Sequence, residues 1–159
     1  MLFKKNKIEK SVAATFYPAK ILIVTMNQKD SYVKYQTDSV TVLPDDCTDI
    51  MLGETIIKHL NESETADISF DKMKELRVNL AKISKIKPGK ASMIGARYVS
   101  VFMDEKEISF TSYQNMLAKK LYEFYRIPSA ITSISNKADF SSIGIELRKA
   151  WERCTFAEG

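Results

Sequence analysis

The sequence predicts an α+β fold, in which a largely antiparallel β-sheet packs with about three helices. Apolar, β-branched runs typical of strands are mixed with segments whose apolar residues recur every three to four positions, as in amphipathic helices. These segments follow one another without a regular strand–helix–strand rhythm, which argues against a parallel sheet. The clearest hairpin, centred near residue 105, pairs two consecutive strands antiparallel.

The composition is that of a single compact domain, which we expect to span residues 1–159. Hydrophobic residues make up 45% of the chain and charged residues 28%, and glycine and proline are scarce. A disordered chain would have lower hydrophobicity and a higher net charge than the +4 found here. A chain of this length can bury roughly two-thirds of its unfolded surface around one core.

The beginning of the chain does not have the pattern of a secretory signal. Its apolar stretch, residues 12–19, is short and contains Tyr17 and Pro18, and no A-x-A-type cleavage site follows. No window reaches the roughly 18 apolar residues of a membrane span. Cys47 and Cys154 have no metal-type spacing, so we expect reduced, partly buried thiols. These features predict a cytoplasmic protein without a membrane partner.

The first half of the chain is expected to begin with strands. Residues 20–26 form a continuous apolar run that suits a central strand. Residues 31–43 contain two short apolar segments on either side of a polar sequence at residues 37–39. We interpret this pattern as a hairpin, or as two short strands joined by a polar turn.

Two helices are expected to follow these strands. The first is capped at residue 46, 48 or 49 and ends near Leu60, with its apolar residues on one face. Gly53 lies inside this helix and could mark close packing against a strand. The second helix is capped by Ser69 and runs to about Ser84.

The second half of the chain returns to strands and ends in a helix. Residues 97–103 and 107–111 form the clear hairpin. Residues 116–125 have helical character, and residues 131–134 alternate like a strand. The last predicted helix covers residues 142–154.

This last helix has one apolar face, which we interpret as core packing and not as a binding surface. On the same helix Arg148 precedes Glu152 by four positions, a spacing at which opposite charges can interact. The apolar residues are Ile143, Leu147, Ala150, Trp151 and Cys154.

The chain lacks the residues that most catalytic sites require. His59 is its only histidine and lies in the first predicted helix, where a packed or half-exposed structural role is expected. Zinc and iron sites need more cysteine and histidine residues than are present. Gly89 and Lys90 resemble the end of a phosphate loop, but its first glycine is missing. We predict no enzyme activity, no cofactor or metal, and no small-molecule substrate.

Charged residues are unevenly distributed along the chain. Acidic residues cluster at residues 45–49 and 62–71, whereas residues 72–97 contain a single acid, Glu75. This basic stretch is either a solvated helix face or a patch for an acidic protein surface or for phosphates. Its basic residues are Lys72, Lys74, Arg77, Lys82, Lys85, Lys87, Lys90 and Arg97.

Aromatic residues are frequent in the predicted strands and in the segment that follows them. They could form a binding hot spot together with Arg126, or they could belong to a plain core stripe. The aromatic residues concerned are Tyr98, Phe102, Tyr113, Tyr122, Phe124 and Tyr125.

Four segments, in this order and spacing, resemble a known protein family. They are residues 13–17 (AATFY), the connection from residues 43–46 (LPDD) to residues 52–53 (LG), the strand pair 96–101 and 108–111, and the closing helix FSSIGIELRKAWERC over residues 140–154. The closing helix has a small-residue cap, an Ile-Gly pair and an L-R-x-A pattern. The chain thus resembles the CdiI immunity proteins of bacterial contact-dependent growth inhibition (CDI) systems, and the likeness extends over most of the chain.

The resemblance implies a cytoplasmic immunity protein that binds and neutralises the cognate CdiA C-terminal toxin domain, which in many such systems is a nuclease. A basic toxin would meet the acidic residues, and an acidic toxin would meet the basic stretch. The residues that we predict to bind the toxin are Glu62, Glu64, Asp67, Asp71, Lys72, Lys74, Lys82 and Lys85.

Two further expectations concern partners. The alternative function is a nucleic-acid-binding module that uses the basic stretch 72–97 and the aromatic residues of the sheet. A homodimer is also conceivable, because an exposed sheet edge could pair with a second copy or accept a strand of the toxin.

Overall fold

The computed structural model describes residues 9–29 and 33–159. In this part of the chain seven strands form one sheet, accompanied by four helices, and the predicted α+β class is confirmed. The strands are β1 (Lys10–Tyr17), β2 (Lys20–Gln28), β3 (Lys34–Pro44), β4 (Arg97–Met103), β5 (Glu107–Asn115), β6 (Phe124–Ser135) and β7 (Thr155–Phe156). The helices are α1 (Asp49–Glu62), α2 (Phe70–Ser84), α3 (Lys90–Met93) and α4 (Phe140–Arg153).

The sheet has the strand order β3-β2-β1-β4-β5-β6, and all of these neighbours are antiparallel. The two-residue strand β7 pairs parallel with β5, and an isolated parallel bridge joins Gln28 to Thr65. The prediction of a largely antiparallel sheet is therefore confirmed. Among the described strands, β3 and β6 form the two outer edges.

One face of the sheet packs against α1 and α4 and carries the main core. Alternate residues of the central strands point to this face, since successive side chains of a strand point to opposite sides. The indole nitrogen of Trp151 in α4 donates a hydrogen bond of 3.1 Å to the carbonyl oxygen of Ala14 in β1. The core residues include Val12, Ala14, Ile21, Ile23, Val99, Val101, Ile108, Phe110, Ile143 and Leu147. The predicted role of the α4 apolar face in core packing is confirmed.

Helices α1 and α4 cross in close backbone contact. A Cβ added at Gly53 or at Gly144 would lie well inside 3.0 Å of the backbone of the other helix, at Phe140 and Asp49 respectively. The prediction that Gly53 packs closely is right, but its expected neighbour is wrong. Gly53 contacts a helix and not a strand.

The opposite face of the sheet is covered only in part. Helix α2 packs across the β3 side of this face, where Leu80 contacts Ala13, Leu22 and Val24. The half formed by β4, β5 and β6 has no helix packed on it in the described part of the chain. A broad concave surface is left beside α2.

The caps of the first two long helices follow the sequence signals. The side chain of Thr48 accepts a hydrogen bond from the backbone N–H of Met51, and that of Ser69 accepts one from Lys72, each at 3.1 Å. Such bonds satisfy backbone donors that the first helical turn leaves unpaired. Helix α4 begins at Phe140, slightly earlier than predicted, after the cap residue Asp139.

The hairpin predicted within residues 31–43 is wrong. Residues 34–44 form the single strand β3, and residues 31 and 32 lie outside the described residues. The polar sequence at residues 37–39 is a β-bulge, because the pairing moves from Val24–Val40 to Met26–Gln36. A bulge accommodates polar residues as readily as a turn does, so composition alone does not separate the two.

Two further strands were not predicted correctly. Residues 10–17 form β1, although the sequence had indicated only an apolar stretch there. The helix expected over residues 116–125 is reduced to one 3₁₀ turn at Leu117–Lys119, and β6 begins at Phe124. Leu121 and Tyr122 are exposed, so these two residues supply none of the core packing that usually stabilises a helix.

Both cysteines are free and buried, as expected. Among the described residues no helix is long and apolar enough to cross a membrane.

Candidate functional site

His59 is confirmed as a structural residue. Its side chain is buried in the core side of α1, with Nδ1 2.7 Å from Thr25 Oγ1 and Nε2 2.7 Å from Thr41 Oγ1. Burial lowers the pKa of His59, against the smaller opposing effect of Glu62. Both ring nitrogens are occupied by threonine hydroxyls, so no free base faces solvent.

The eight charged residues predicted to contact a partner are all exposed. The acidic members run from the end of α1 through the connection into the first turn of α2. A hydrogen bond from Ser39 lowers the pKa of Glu62, and Asp67 lies 4.0 Å from the amine of Lys29. Of the basic members on α2, Lys72 is paired with Glu75 at 3.1 Å. These charges are accessible to a partner.

The basic stretch 72–97 does not form one patch. The guanidinium of Arg97 donates a hydrogen bond of 3.1 Å to the carbonyl oxygen of Trp151 and lies 5.4 Å from the ring of Phe156. Arg97 therefore belongs to the side of the sheet that carries α4. Arg77 instead faces the concave surface beside α2.

The concave surface is formed by three adjoining hollows, which we call the sheet-face groove. Their volumes are about 510, 330 and 220 Å³. The largest lies between α2 with the connection that follows it and the exposed face of β1, β4 and β5. Each pair of hollows shares lining residues, so the groove is continuous. Residues that line it include Tyr17, Met26, Arg77, Tyr98, Tyr113 and Phe124.

Aromatic rings form the floor of the groove. The ring of Tyr98 lies 4.8 Å from that of Tyr113, edge to face, and 5.0 Å from that of Phe124. The hydroxyl of Ser100 lies 3.2 Å from the hydroxyl oxygens of both tyrosines. Burial raises the pKa of Tyr98, so this residue stays a neutral phenol. The floor combines apolar area with hydroxyl groups.

Three cations from three different elements line the groove: Lys34 of β3, Arg77 of α2 and Arg126 of β6. The amine of Lys34 lies 3.8 Å from the centre of the Phe102 ring and 3.5 Å from a carboxylate oxygen of Glu9. Burial lowers the pKa of Lys34, Glu9 raises it, and the charge of Arg126 lowers it again. Arg77 and Arg126 have no ion pair with any described residue, so the groove is positively charged.

The groove can bind an anion that also brings apolar surface. It contains no nucleophile with an adjacent base, and within residues 9–29 and 33–159 no group of three His, Cys, Asp or Glu side chains could hold a metal ion. Its cations beside aromatic rings are the residue types that recur where proteins contact a partner.

Sequence reasoning located this site only in part. The possible grouping of Arg126 with Tyr98, Tyr113 and Phe124 came from proximity along the chain, and the fold does bring these residues to one surface. Lys34 was missed. A signal existed, because the alternation of β3 places Lys34 on the same side as Gln36, but the assumed hairpin obscured it.

The outer strands differ in their capacity to accept another strand. In β6 the pairing with β5 is interrupted between Ile131 and Arg126, and this bulge contains Pro128. Bulges and prolines discourage strand addition at an edge. Strand β3 also has a bulge, at residues 37–39, so neither edge offers an uninterrupted strand to the predicted homodimer or to a partner strand.

A protein-family model described as CdiI, CDI immunity protein, matches residues 10–154. The match covers nearly the whole chain and all of the main structural elements. No curated protein matches the sequence.

Two solved structures share the fold. A protein of unknown function from Neisseria meningitidis has a TM-score of 0.78 and 15% sequence identity, covering 97% of this chain and 99% of the other. A chain of the CdiA-CT/CdiI toxin and immunity complex from Yersinia pseudotuberculosis has a TM-score of 0.76 and 15% identity, covering 92% of this chain and 98% of the other. At this identity the likeness establishes a common fold.

Proposed function

The chain belongs to the CDI immunity protein family, and on that basis we propose that it binds and neutralises the C-terminal toxin domain of its cognate CdiA protein. The observation that carries this proposal is the family match over residues 10–154. The fold shared with a chain of a toxin and immunity complex supports it. The family also confirms the prediction that the chain is not an enzyme.

We further propose that the toxin is a nuclease and that neutralisation takes place in the cytoplasm. An inhibitor has to meet the toxin in the compartment where the toxin finds its substrate, and cytoplasmic nucleic acid is the substrate that a nuclease would attack. A preformed surface whose charge is complementary to that of the toxin speeds the formation of such a complex.

The eight exposed charged residues between Glu62 and Lys85 are proposed as part of the contact surface. Their acidic and basic halves adjoin each other at the start of α2, between Asp71 and Lys72. A surface of this kind discriminates between toxins, because a partner with the wrong charge pattern is repelled by one of its halves.

Co-expression in a susceptible bacterium tests the function. The cognate toxin domain alone should stop growth, and growth should be restored when this chain is expressed with it. A toxin domain from an unrelated CDI system is the specificity control and should not be neutralised. Purified toxin and chain should form a complex of one-to-one stoichiometry. Growth arrest that persists despite normal expression of the chain would contradict the proposal.

The same cells test whether the toxin is a nuclease and whether it is neutralised in the cytoplasm. Gel electrophoresis of total RNA and DNA after toxin induction should show cleavage, and the chain should prevent it. Intact nucleic acid in arrested cells would show that the toxin is not a nuclease. Fractionation should place the complex with cytoplasmic markers, and recovery in the membrane or periplasmic fraction would contradict the proposed location.

A further inference from the structure

We propose that the sheet-face groove receives an acidic segment of the toxin domain, with carboxylates placed between Lys34, Arg77 and Arg126. This inference rests on the proposed function and specifies which surface of the chain meets its partner. It goes beyond the strip of charges between Glu62 and Lys85, because two of the three cations lie outside that strip and on other elements.

The half of this sheet face formed by β4, β5 and β6 carries aromatic side chains that no helix covers in the described part of the chain. Within residues 9–29 and 33–159, one face of the sheet buries a continuous core under α1 and α4, whereas α2 is the one helix that packs on the other face, at its β3 side. Tyr98, Phe102 and Tyr113 line a hollow here and are half-buried, so part of their ring area is left for a partner to cover. Accessible aromatic area on a rigid sheet can be buried by a partner without first ordering a loop.

The charge of the groove favours an acidic partner. Lys34, Arg77 and Arg126 face it, and Glu9 is the one described carboxylate that pairs with any of them. The fold therefore holds like charges near one another without full compensation. The lowered pKa of Lys34, caused first by burial and also by Arg126, agrees with this imbalance. An incoming carboxylate would relieve the repulsion and gain charge-assisted hydrogen bonds from the guanidinium groups.

The residue types in the groove favour a protein partner. Tyrosine and arginine, together with tryptophan, are enriched in the energetic centres of protein interfaces. A nucleic-acid strand would need cations along its whole track to contact successive phosphates. Half-buried apolar side chains line the groove beside its cations, among them Ile86, Phe102 and Phe124, and they suit the hydrophobic side chains that flank an acidic residue in a protein segment.

The test is the affinity of the full-length chain for its cognate toxin domain, measured by calorimetry. The double variant Arg77→Glu/Arg126→Glu should bind about 100-fold more weakly or worse, as expected when charged contacts at an interface are reversed. The matched control Lys137→Glu/Arg153→Glu makes the same change in net charge at two exposed positions outside the groove, and should bind within about threefold of wild type. The variant Arg77→Lys/Arg126→Lys should retain most of the affinity.

Both arginines of the groove variant are exposed, so its circular dichroism spectrum and melting temperature should match those of wild type. If the double variant nevertheless unfolds, the single variant Arg126→Gln takes its place, with an expected loss of about tenfold. A toxin variant in which one acidic residue is changed to lysine should restore binding to the groove variant. That compensation would identify the carboxylate that enters the groove.

Three results would overturn the inference. The groove variant could bind the toxin as tightly as wild type, or the control variant could lose as much affinity as the groove variant. The third would be seen with a labelled single-stranded RNA of 20 nucleotides. Wild type would bind this RNA at physiological salt, and the groove variant would lose its affinity for the RNA while it kept its affinity for the toxin. In each of these cases wild type still protects cells, so the proposed function stands. Failure of wild type to protect cells would instead contradict the proposed function itself.

Discussion

At the scale of single residues, His59 shows how a polar group is accommodated in the core. The ring lies between Thr25 of β2 and Thr41 of β3, at 2.7 Å from each hydroxyl oxygen. In a neutral imidazole one nitrogen donates and the other accepts, and hydroxyl groups can serve either need. The bonds tie α1 to two strands without introducing a buried charge. The only histidine of the chain thus acts as a structural link.

His59 leads to a prediction about pH. Burial lowers the pKa of His59 in the folded protein. As the pH falls below the ordinary histidine value of about 6.5, the unfolded chain therefore binds a proton at this residue more readily than the folded protein does. The free energy of unfolding should therefore decrease on acidification through this range, by at most about 1.4 kcal/mol per pH unit for one proton. Urea unfolding at pH 7.5, 6.5 and 5.5 measures this slope.

The variant His59→Gln should have a flatter slope over the same range, whatever its overall stability. Glu62→Gln is the companion variant, because Glu62 titrates at lower pH than this window and raises the pKa of His59 when charged. Removing that charge should make the dependence on pH slightly steeper. An unchanged slope in His59→Gln would assign the effect to other groups.

Arg148 marks the limit of reasoning from local spacing. Its four-residue separation from Glu152 predicted a pair within α4. The guanidinium instead donates to a carboxylate oxygen of Asp49 at 2.9 Å and to the carbonyl oxygen of Cys47. These partners lie about 100 positions away along the chain, and the contact depends on how α4 crosses the start of α1.

At the scale of elements, the crossing of α1 and α4 explains two motifs that carried the family resemblance. The Leu-Gly pair at residues 52–53 and the Ile-Gly pair at residues 143–144 each place a glycine where the other helix touches the backbone. The preceding residues, Leu52 and Ile143, are fully buried in the core. Glycine is needed here for close approach and not for an unusual backbone angle.

Substitution of Gly144 by alanine should destabilise the protein. The added Cβ would overlap the backbone of Asp49, which cannot move without shifting α1, so we expect a loss of about 1–3 kcal/mol or more. Alanine is the better helix former, and its intrinsic preference would offset at most about 1 kcal/mol of this loss. Urea unfolding monitored by circular dichroism measures the change.

Glu152→Ala is the matched control, because Glu152 is exposed on the same helix. Its effect should stay within about 0.5 kcal/mol. Equal midpoints for Gly144→Ala and wild type would show that the crossing adjusts to the extra methyl group at little energetic cost.

Helices and strands were predicted correctly where the sequence signal came from residues close together in the chain. The caps at Thr48 and Ser69 were found because a side chain bonds the backbone three residues away. The strand β6 was missed in its first part because its pairing with β5 is non-local and interrupted by a bulge. Whether an amphipathic segment becomes a helix or a strand depends on which face a neighbouring element can cover.

At the scale of the whole molecule, the two sheet faces have different roles. On the face that packs against α1 and α4, residues of β1 and of α4 belong to one hydrophobic core. The other face is half open and forms the sheet-face groove. Because β1 lies in the middle of the sheet and pairs with β2 and β4, the described elements before and after α2 belong to one structural unit.

We therefore expect the chain to unfold as a single cooperative domain. Trp151, the only tryptophan, is buried in α4 against β1, so its fluorescence reports loss of the core. Its urea transition should coincide with that of the far-ultraviolet circular dichroism, as required for two-state behaviour. Midpoints that differ between the two probes would indicate separate folding units and contradict a single domain.

The fold class, most helices and strands, the helix caps, the core stripe of α4 and the family were predictable before any coordinates were known. Each depends on residue types at short spacing, or on several short motifs in a given order, which the linear chain records directly. The neighbours of Gly53 and Arg148, the continuity of β3 and the position of the groove emerged only from the folded chain. These features need distant segments to meet, as Lys34, Arg77 and Arg126 do from three separate elements. Local spacing carries no information about which segments will meet, because that depends on the packing of the whole sheet.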